Sequence, residues 1–177
     1  MLAFFAIIVG IIFVDQLTKW LAVIFLKGNG ATVVIENVLR FLYLENKGAA
    51  FGMLSNQRWV FLVISTVAIA AIIFYMVKFR PQNKLLKVAI AFMAGGGLGN
   101  MVDRLALGYV IDFIDFYAFP KIWMYVFNVA DSFVCIGAGL MILYLILETV
   151  KESKKLKAEK EAKKNQEKAE EEADDVE

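Results

Sequence analysis

Histidine is absent from this chain of 177 residues, and cysteine occurs once. Without imidazole, the chain lacks the commonest side-chain base, the Ser-His-Asp arrangement and the usual histidine ligands of zinc. The single Cys135 cannot form an internal disulfide, and its apolar surroundings favour a small helix-packing residue over a nucleophile. Chemistry must therefore come from carboxylates, amides, hydroxyls, lysines or backbone groups, and we expect neither a metal ion nor a cofactor.

Net charge is also small, at +1, which argues against a nucleic-acid partner. In contrast, 60% of the residues are hydrophobic, and the mean hydropathy is +0.63. A soluble domain has about 45–50% apolar residues, so the excess predicts membrane spans and a lipid environment.

Four apolar stretches predict transmembrane helices at about residues 2–26, 59–77, 85–102 and 127–147. No A-x-A-like cleavage site follows the first stretch, so we expect a retained span. The loop between the second and third stretches carries basic residues and no acid, and lysines also follow the fourth. The positive-inside rule then predicts that both termini are cytoplasmic. Residues 1–147 form the predicted membrane domain, and 148–177 form a charged tail that extends the fourth helix before fraying.

A small sheet is predicted outside the membrane. Thr32–Ile35 and Val38–Leu44 are β-branched and aromatic runs of strand length after a Gly28–Gly30 turn. Residues 104–126 return to the same side as an aromatic-rich segment, interrupted by Pro120. The predicted fold is therefore a mainly α, polytopic membrane protein with four transmembrane helices and a small extracytoplasmic β-sheet.

Polar residues cluster from the end of the third predicted span to the start of the fourth. They comprise Asn100, Asp103, Arg104, Asp112, Asp115, Asn128 and Asp131. An ionisable residue at membrane depth indicates a functional site unless it is paired. Two nearby carboxylates cannot both ionise easily, so one becomes an acid and the other a base. Such a pair can activate water against a peptide bond.

Asp112 and Asp131 are the favoured pair. Asp131 enters the fourth span, and Asp112 lies in an apolar frame where a lone carboxylate has no structural justification. Spacing alone leaves Asp103 or Asp115 as a replacement for Asp112. Asp103 and Arg104 are assigned to orientation and charge balance.

The first and third spans carry two further patterns with open interpretations. Asp15 and Lys19 are four residues apart and can face each other on a helix. They form either an ion pair near the membrane boundary or, in addition, a support for the polar site. The glycines of Gly95–Gly99 allow close helix contact, or alternatively leave room for a substrate backbone.

At these residues the sequence closely resembles bacterial lipoprotein signal peptidase, the type II signal peptidase family of four-span aspartyl endopeptidases. The resemblance rests on five blocks, namely DQLTK (Asp15–Lys19), ENKGAAFG (Glu45–Gly52), GNMVDR (ending at Arg104), YVIDFID (Tyr109–Asp115) and FNVADS (Phe127–Ser132). It implies that Asp112 and Asp131 are catalytic. The implied supporting or substrate-binding residues are Asp15, Lys19, Asn46, Gly48, Asn100, Asp103, Arg104 and Asn128.

The resemblance also implies the substrate and location. The enzyme would cleave the signal peptide of prolipoproteins before a diacylglyceryl-modified cysteine, on the outer side of the bacterial cytoplasmic membrane. We expect inhibition by globomycin and a monomeric state. Two rival classes are weaker: a proton-coupled transporter predicts carboxylates through the membrane depth or repeated halves, and a Ser-Lys peptidase using Ser132 lacks a neighbouring lysine in sequence.

Overall fold

The computed structural model describes residues 1–48, 57–118 and 125–174. Its contacts divide the chain into two compact units, Met1–Leu140 and Met141–Glu177. In chain order, the elements are α1 (Leu2–Leu26), β1 (Thr32–Ile35), β2 (Leu39–Asn46), α2 (Arg58–Phe79), α3 (Lys84–Ala106), β3 (Val110–Phe116), β4 (Val126–Phe127) and α4 (Val129–Asp174).

The four predicted membrane spans are confirmed as helices of sufficient length and hydropathy. Their spanning segments are Leu2–Leu26, Trp59–Phe79, Lys84–Ala106 and Val129–Glu161. The fourth helix begins two residues later than predicted, because Phe127 belongs to β4 instead. The helix then continues through the described part of the charged tail, where Glu148–Lys151 and Lys155–Glu159 ion pairs lie along its exposed surface.

Helix α3 is longer than its apolar stretch indicated. Its N-terminus is capped by Asn83, whose side chain accepts a hydrogen bond from the Leu86 N–H at 3.2 Å. At its other end the helix continues to Ala106, and Gly108 then adopts a left-handed conformation with φ of 86°. Arg104 therefore lies on α3, which corrects its predicted place in the outer segment.

The sheet has four antiparallel strands in the order β1-β2-β3-β4. The two strands predicted from sequence are present, with the second shifted to Leu39–Asn46. The central strand β3 was missed, since the segment 104–126 was predicted only as an outer aromatic region. Pairing of Leu44 with Asp112 brings the end of β2 beside the middle of β3.

Glycines on α3 allow the helices to approach closely. A Cβ on Gly95 would lie 3.0 Å from the Ile11 side chain on α1. A Cβ on Gly96 would overlap the backbone oxygen of Ala130 on α4. The geometry thus supports the packing interpretation of this glycine run. Of the aromatic outer segment, Phe119, Pro120 and Trp123 lie outside the described residues.

Candidate active site

Polar side chains from five elements meet at one end of the helices. They come from α1, the end of β2, the last turns of α3, the middle of β3 and the start of α4. The residues at the centre of this cluster are Asp15, Lys19, Asn46, Asn100, Asp103, Asp112, Asn128 and Asp131. All of them were singled out from the sequence.

Asn128 begins α4 and forms a reciprocal cap with Asp131. The Asn128 Oδ1 atom accepts the Asp131 N–H at 3.0 Å, and the Asp131 Oδ2 atom accepts the Asn128 N–H at 3.2 Å. This is the capping-box arrangement, in which the residue before the helix and the third helical residue each satisfy the other's backbone. The cap fixes the Asp131 carboxyl group at the helix N-terminus, where the helix dipole favours negative charge.

The amide of Asn128 also reaches Asp112 on β3. Its Nδ2 atom donates to Asp112 Oδ1 at 2.6 Å, to Asn100 Oδ1 at 3.0 Å and to the Ile111 carbonyl oxygen at 3.3 Å. One fully buried side chain therefore holds Asp112 through its nitrogen while its oxygen caps the turn that carries Asp131.

The Asp112 carboxyl group is 1% exposed and accepts hydrogen bonds on both oxygens. The second donor is Asn46 Nδ2, at 2.8 Å from Oδ2, and Asn46 is itself fixed by the Gly48 N–H at 3.0 Å. Burial and, next, the charge of Asp131 raise the pKa of Asp112 to about 7, against the opposing effect of the two amide donors. Asp112 is therefore a group that can hold or release a proton near neutral pH.

Asn100 connects Asp131 to a buried lysine. Asn100 Nδ2 donates to Asp131 Oδ1 at 2.7 Å, and Lys19 Nζ donates to Asn100 Oδ1 at 2.9 Å. The cation at Lys19 polarises this amide and strengthens its donation to Asp131. Lys19 thus stabilises the negative charge of Asp131 through the polarised Asn100 amide, without a direct ion pair.

Lys19 is 1% exposed and has two carboxylate partners. Its Nζ atom lies 2.8 Å from Asp15 Oδ2 and 2.9 Å from Asp103 Oδ2. A buried cation is tolerated only when it is paired and hydrogen-bonded, and here all three ammonium donors have an oxygen partner. The predicted Asp15–Lys19 pair is confirmed, and it extends to Asp103 on α3.

Asp15 and Asp103 also bind backbone groups of the elements that carry the carboxyl pair. Asp15 Oδ1 accepts the Ala130 N–H at 2.9 Å, at the start of α4. Asp103 Oδ2 accepts the Ile111 N–H at 3.0 Å, next to Asp112. Asp15 therefore forms both of the contacts that the sequence left open, an ion pair and a support for the site.

Gln16 was not identified from the sequence. Its Nε2 atom donates to Asp103 Oδ1 at 2.8 Å and to the Gly99 carbonyl oxygen at 3.2 Å. Its position in the DQLTK block could have indicated a site residue, because a polar side chain inside a transmembrane span needs a hydrogen-bond partner.

Asp103 and Asp115, the two alternatives to Asp112 as a member of the catalytic pair, each form an ion pair with another residue. Asp103 binds Lys19, and Asp115 Oδ2 lies 2.6 Å from Arg40 Nε in a neighbouring strand. Within the described part of the chain, Asp112 and Asp131 have amide and backbone donors but no cation at ion-pair distance. Of the carboxyl groups in the central cluster, Asp112 and Asp131 are thus the two without a cation partner.

Arg104 and Ser132 take less central places. The Arg104 guanidinium donates to the Asn100 carbonyl oxygen at 3.3 Å and lies 5.0 Å from the Phe61 ring centre. The charge of Asp103 is neutralised by Lys19 rather than by Arg104. The Ser132 hydroxyl donates to the Asn128 carbonyl at 3.1 Å, which is a helix-start contact rather than activation by a base.

No group of three or more Cys, Asp or Glu residues in the described ranges is arranged to hold a metal ion. The site consists of two carboxyl groups, their amide donors and a buried ion-pair network. Together with the four spans, it defines a multi-pass membrane protein with a carboxyl-lined polar site at one end of its helices, a class that includes membrane-embedded hydrolases.

Comparison with known proteins specifies the family. The family model described as signal peptidase (SPase) II matches residues 7–147. The chain therefore belongs to the signal peptidase II family, whose members are proteases. Lipoprotein signal peptidase of Caldanaerobacter subterraneus subsp. tengcongensis is 46% identical over 132 residues, covering 75% of this chain and 88% of that protein. That of Symbiobacterium thermophilum is 41% identical, covering 76% and 88%.

Two solved structures share the fold. One is described as a bacterial membrane enzyme determined by the in meso method at 2.3 Å resolution, with 33% identity and a TM-score of 0.77 over 84% of this chain and 90% of that one. A second, described in the same words at 1.9 Å, has 32% identity and a TM-score of 0.73 over 82% and 93%. The whole four-span arrangement, rather than a fragment of it, is therefore shared.

Proposed function

We propose that this chain is an aspartyl endopeptidase that removes the signal peptide from diacylglyceryl-modified prolipoproteins. The observation that carries the proposal is the double role of Asn128, which holds Asp112 by its nitrogen and caps Asp131 by its oxygen. The names of the relatives support lipoproteins as the substrate class.

In the first half of the reaction, Asp131 acts as the base and Asp112 as the acid. The pKa of Asp112, raised to about 7 by burial and by the charge of Asp131, leaves a large protonated fraction at neutral pH. Asp131 removes a proton from a water molecule, and the hydroxide oxygen bonds to the scissile carbonyl carbon. The proton of Asp112 passes to the carbonyl oxygen, which gives a neutral tetrahedral diol.

In the second half, the protons return. Asp131 gives its new proton to the amide nitrogen, and the carbon–nitrogen bond breaks. A hydroxyl proton of the diol moves to Asp112 as the carbonyl reforms. The products are a carboxylic acid and an amine, and the pair regains its starting state with one water consumed.

The neighbouring residues position this pair. Asn46 and Gly48 fix the free side of Asp112, while Asn100 supplies the main donor to Asp131. Asp15, Lys19 and Asp103 brace the start of α4 and the middle of β3 from the first and third spans. Arg104 balances the charge of the site from its position one turn after Asn100.

The proposed orientation places both termini in the cytoplasm and the site near the outer membrane face. It is supported by the basic residues Lys78, Arg80, Lys84 and Lys87 around the short connection between α2 and α3. The site lies at the other end of α3, at Asn100 and Asp103. The signal peptide and its lipid chains would approach through the membrane, and the enzyme would act as a globomycin-sensitive monomer.

The test is cleavage of a purified prolipoprotein in vesicles, with and without its diacylglyceryl group. Asp112→Asn and Asp131→Asn should each abolish cleavage, because each removes one proton carrier, whereas Asp103→Asn should cause partial loss. Asp115→Asn is the matched control, since this carboxylate pairs with Arg40 and should leave most activity intact. Cleavage that survives in either of the first two variants would overturn the mechanism. Equal cleavage without the lipid would overturn the substrate.

A second variant tests the carrying observation. Asn128→Ala removes the two side-chain contacts of Asn128 with Asp112 and Asp131 and should lower kcat/KM by at least about 100-fold, which corresponds to about 2.7 kcal/mol. A variant that folds and keeps near-normal turnover would show that Asn128 does not organise the pair.

A further inference from the structure

The charged tail consists of two blocks that differ in charge. Residues 148–157, the basic block, hold four lysines and two glutamates. Residues 158–177, the acidic block, hold four lysines and nine acidic residues. The family match ends at residue 147, directly before the basic block. The proposed reaction therefore assigns no role to the tail.

The basic block follows directly on an apolar run of the same helix. Within the unit Met141–Glu177, one helix connects the apolar residues up to Leu147 to this block. A helix rises about 1.5 Å per residue, so the backbone of Lys151 lies about 6 Å past Leu147 and that of Lys157 about 15 Å past it. The headgroup layer of a bilayer is about 5–8 Å deep, and its charge acts over about 8 Å more in physiological salt. A membrane surface at the end of the apolar run is therefore within reach of all four lysines.

The lysines of the basic block are available to an anionic partner. All side chains of residues 151–161 are exposed. Two of the four lysines pair with Glu148 and Glu159, but these contacts are 3.8 Å long and exposed, so they contribute little. The other two, Lys154 and Lys157, form no ion pair among the described residues. Their ammonium groups can donate to phosphate oxygens.

Apolar burial does not explain what the basic block contacts. A helix that lies in the plane of the membrane interface needs a broad apolar face. Between residues 148 and 161 the large apolar side chains are Val150 and Leu156, which are six positions apart and lie on different sides of the helix. In contrast, Lys151, Lys154 and Lys157 recur every three residues along one side. The block therefore presents charge to its partner.

The acidic block distinguishes a membrane from other anionic partners. A nucleic acid or an acidic protein laid along the tail would be attracted by one block and repelled by the other. A membrane surface meets only the basic block, because the backbone at Glu167 lies about 30 Å past Leu147, beyond the range of the surface charge. Charge complementarity therefore favours anionic lipid as the partner.

We propose that the lysines of the basic block bind the headgroups of anionic phospholipids, while the acidic block is held away from the membrane by repulsion. The tail then stands off the surface and anchors the end of the fourth span to negatively charged lipid. This binding does not depend on the proposed peptidase activity.

Lipid selection around the full chain measures this binding. The protein is reconstituted in phosphatidylcholine vesicles with a trace of spin-labelled phosphatidylglycerol or phosphatidylcholine, and electron paramagnetic resonance gives the relative association constant of the two lipids. We expect a preference for phosphatidylglycerol of at least about threefold at low salt, which falls towards one in 1 M salt. Both leaflets have the same composition, so the result does not depend on the orientation of the protein.

Two variants with the same change in charge locate the binding. The test variant combines Lys151→Gln, Lys154→Gln, Lys155→Gln and Lys157→Gln. The control variant combines Lys160→Gln, Lys163→Gln, Lys164→Gln and Lys168→Gln. The test variant should lower the preference at least about twofold, whereas the control should leave it unchanged. An unchanged preference in the test variant would overturn the proposal, and so would an equal fall in both variants, which would indicate a response to net charge alone.

A second measurement leaves the lysines in place. In a Cys135→Ser background, a fluorophore on Ser153→Cys reports the position of the basic block, and one on Gln166→Cys reports that of the acidic block. In vesicles that contain phosphatidylglycerol and a lipid with a nitroxide on its headgroup, quenching at position 153 should exceed that at 166 at least about threefold, because the two backbones differ in height by about 20 Å. Equal quenching would show that the tail lies along the surface and would overturn the proposal. Neither measurement uses cleavage, so failure of the proposed function would leave both unaffected.

Discussion

Replacing Asp112 with asparagine should remove activity yet stabilise the protein at alkaline pH. In the folded chain the pKa of Asp112 is raised from 3.8 to about 7, mainly by burial and by the charge of Asp131. Each pKa unit corresponds to about 1.36 kcal/mol, so ionising this group above pH 7 costs the folded state about 4 kcal/mol. Between pH 4 and 7 the folded state binds more protons than the unfolded state, so stability falls as pH rises.

Asparagine avoids that cost but introduces a smaller one. Asp112 accepts hydrogen bonds from Asn46 and Asn128, and an amide can accept on only one of its two terminal atoms. The lost bond should cost about 1–3 kcal/mol. The variant should therefore be about 1–3 kcal/mol more stable than the parent at pH 8 and less stable by a similar amount at pH 4.

Equilibrium unfolding by SDS titration in mixed micelles, followed by tryptophan fluorescence at several pH values, measures this difference. Asp115→Asn is the control, because it loses an ion pair with Arg40 and should be destabilised at both pH values. A stability difference for Asp112→Asn that keeps the same sign at pH 4 and pH 8 would refute the reasoning about its proton.

Two further changes probe the supports of the site. Lys19→Met leaves the buried carboxylates of Asp15 and Asp103 without their cation. It should lower the free energy of unfolding, measured by the same SDS titration, by about 3–5 kcal/mol. A decrease below about 1 kcal/mol would contradict the buried ion-pair triad. Gly99→Ala would place a Cβ 2.6 Å from Asp15 Oδ2 and should destabilise by about 1–3 kcal/mol. Gly139→Ala meets nothing within 4 Å and should be neutral or stabilising by up to about 1 kcal/mol, so similar effects of the two alanines would argue against close packing at Gly99.

The helices were predictable because a bilayer imposes a simple rule on sequence. About twenty apolar residues are needed to cross it, and all four stretches that meet this rule became helices. Their ends were harder to predict. Asp103 and Arg104 interrupt the apolar pattern of α3, but the helix continues through both residues to Ala106. The charge of Asp103 is tolerated there because Lys19 on α1 pairs with it, and a hydropathy pattern does not reveal that partner.

The missed strand β3 has a local pattern that indicates a strand. Val110, Ile111, Phe113 and Ile114 are β-branched or aromatic, and the charged residues between them recur every three positions rather than alternating. The three-residue spacing of the aspartates hides the strand because β3 is buried on both faces for much of its length. Asp112 and Asp115 lie on opposite faces, and each is buried against a partner side chain.

The residues of the polar cluster were predictable from the sequence, but the hydrogen bonds between them were not. The residue types and the five sequence blocks singled out Asn46 and Asn128. Only coordinates show that Asn46 binds Asp112 rather than serving a turn alone. Gln16 and the backbone of Ala130 were missed because their contacts span 87 and 115 positions in sequence.

The reciprocal cap at Asn128 has a consequence for biosynthesis. The groups that build the site occur along the chain in the order Asp15, Asn46, Asn100, Asp112, Asn128 and Asp131, so the bridging amide and its capping partner leave the ribosome last. A nascent chain that ends between Asp112 and Asn128 contains the first carboxyl group but not the amide that orients it. The site is therefore completed only when synthesis of the membrane region is nearly finished.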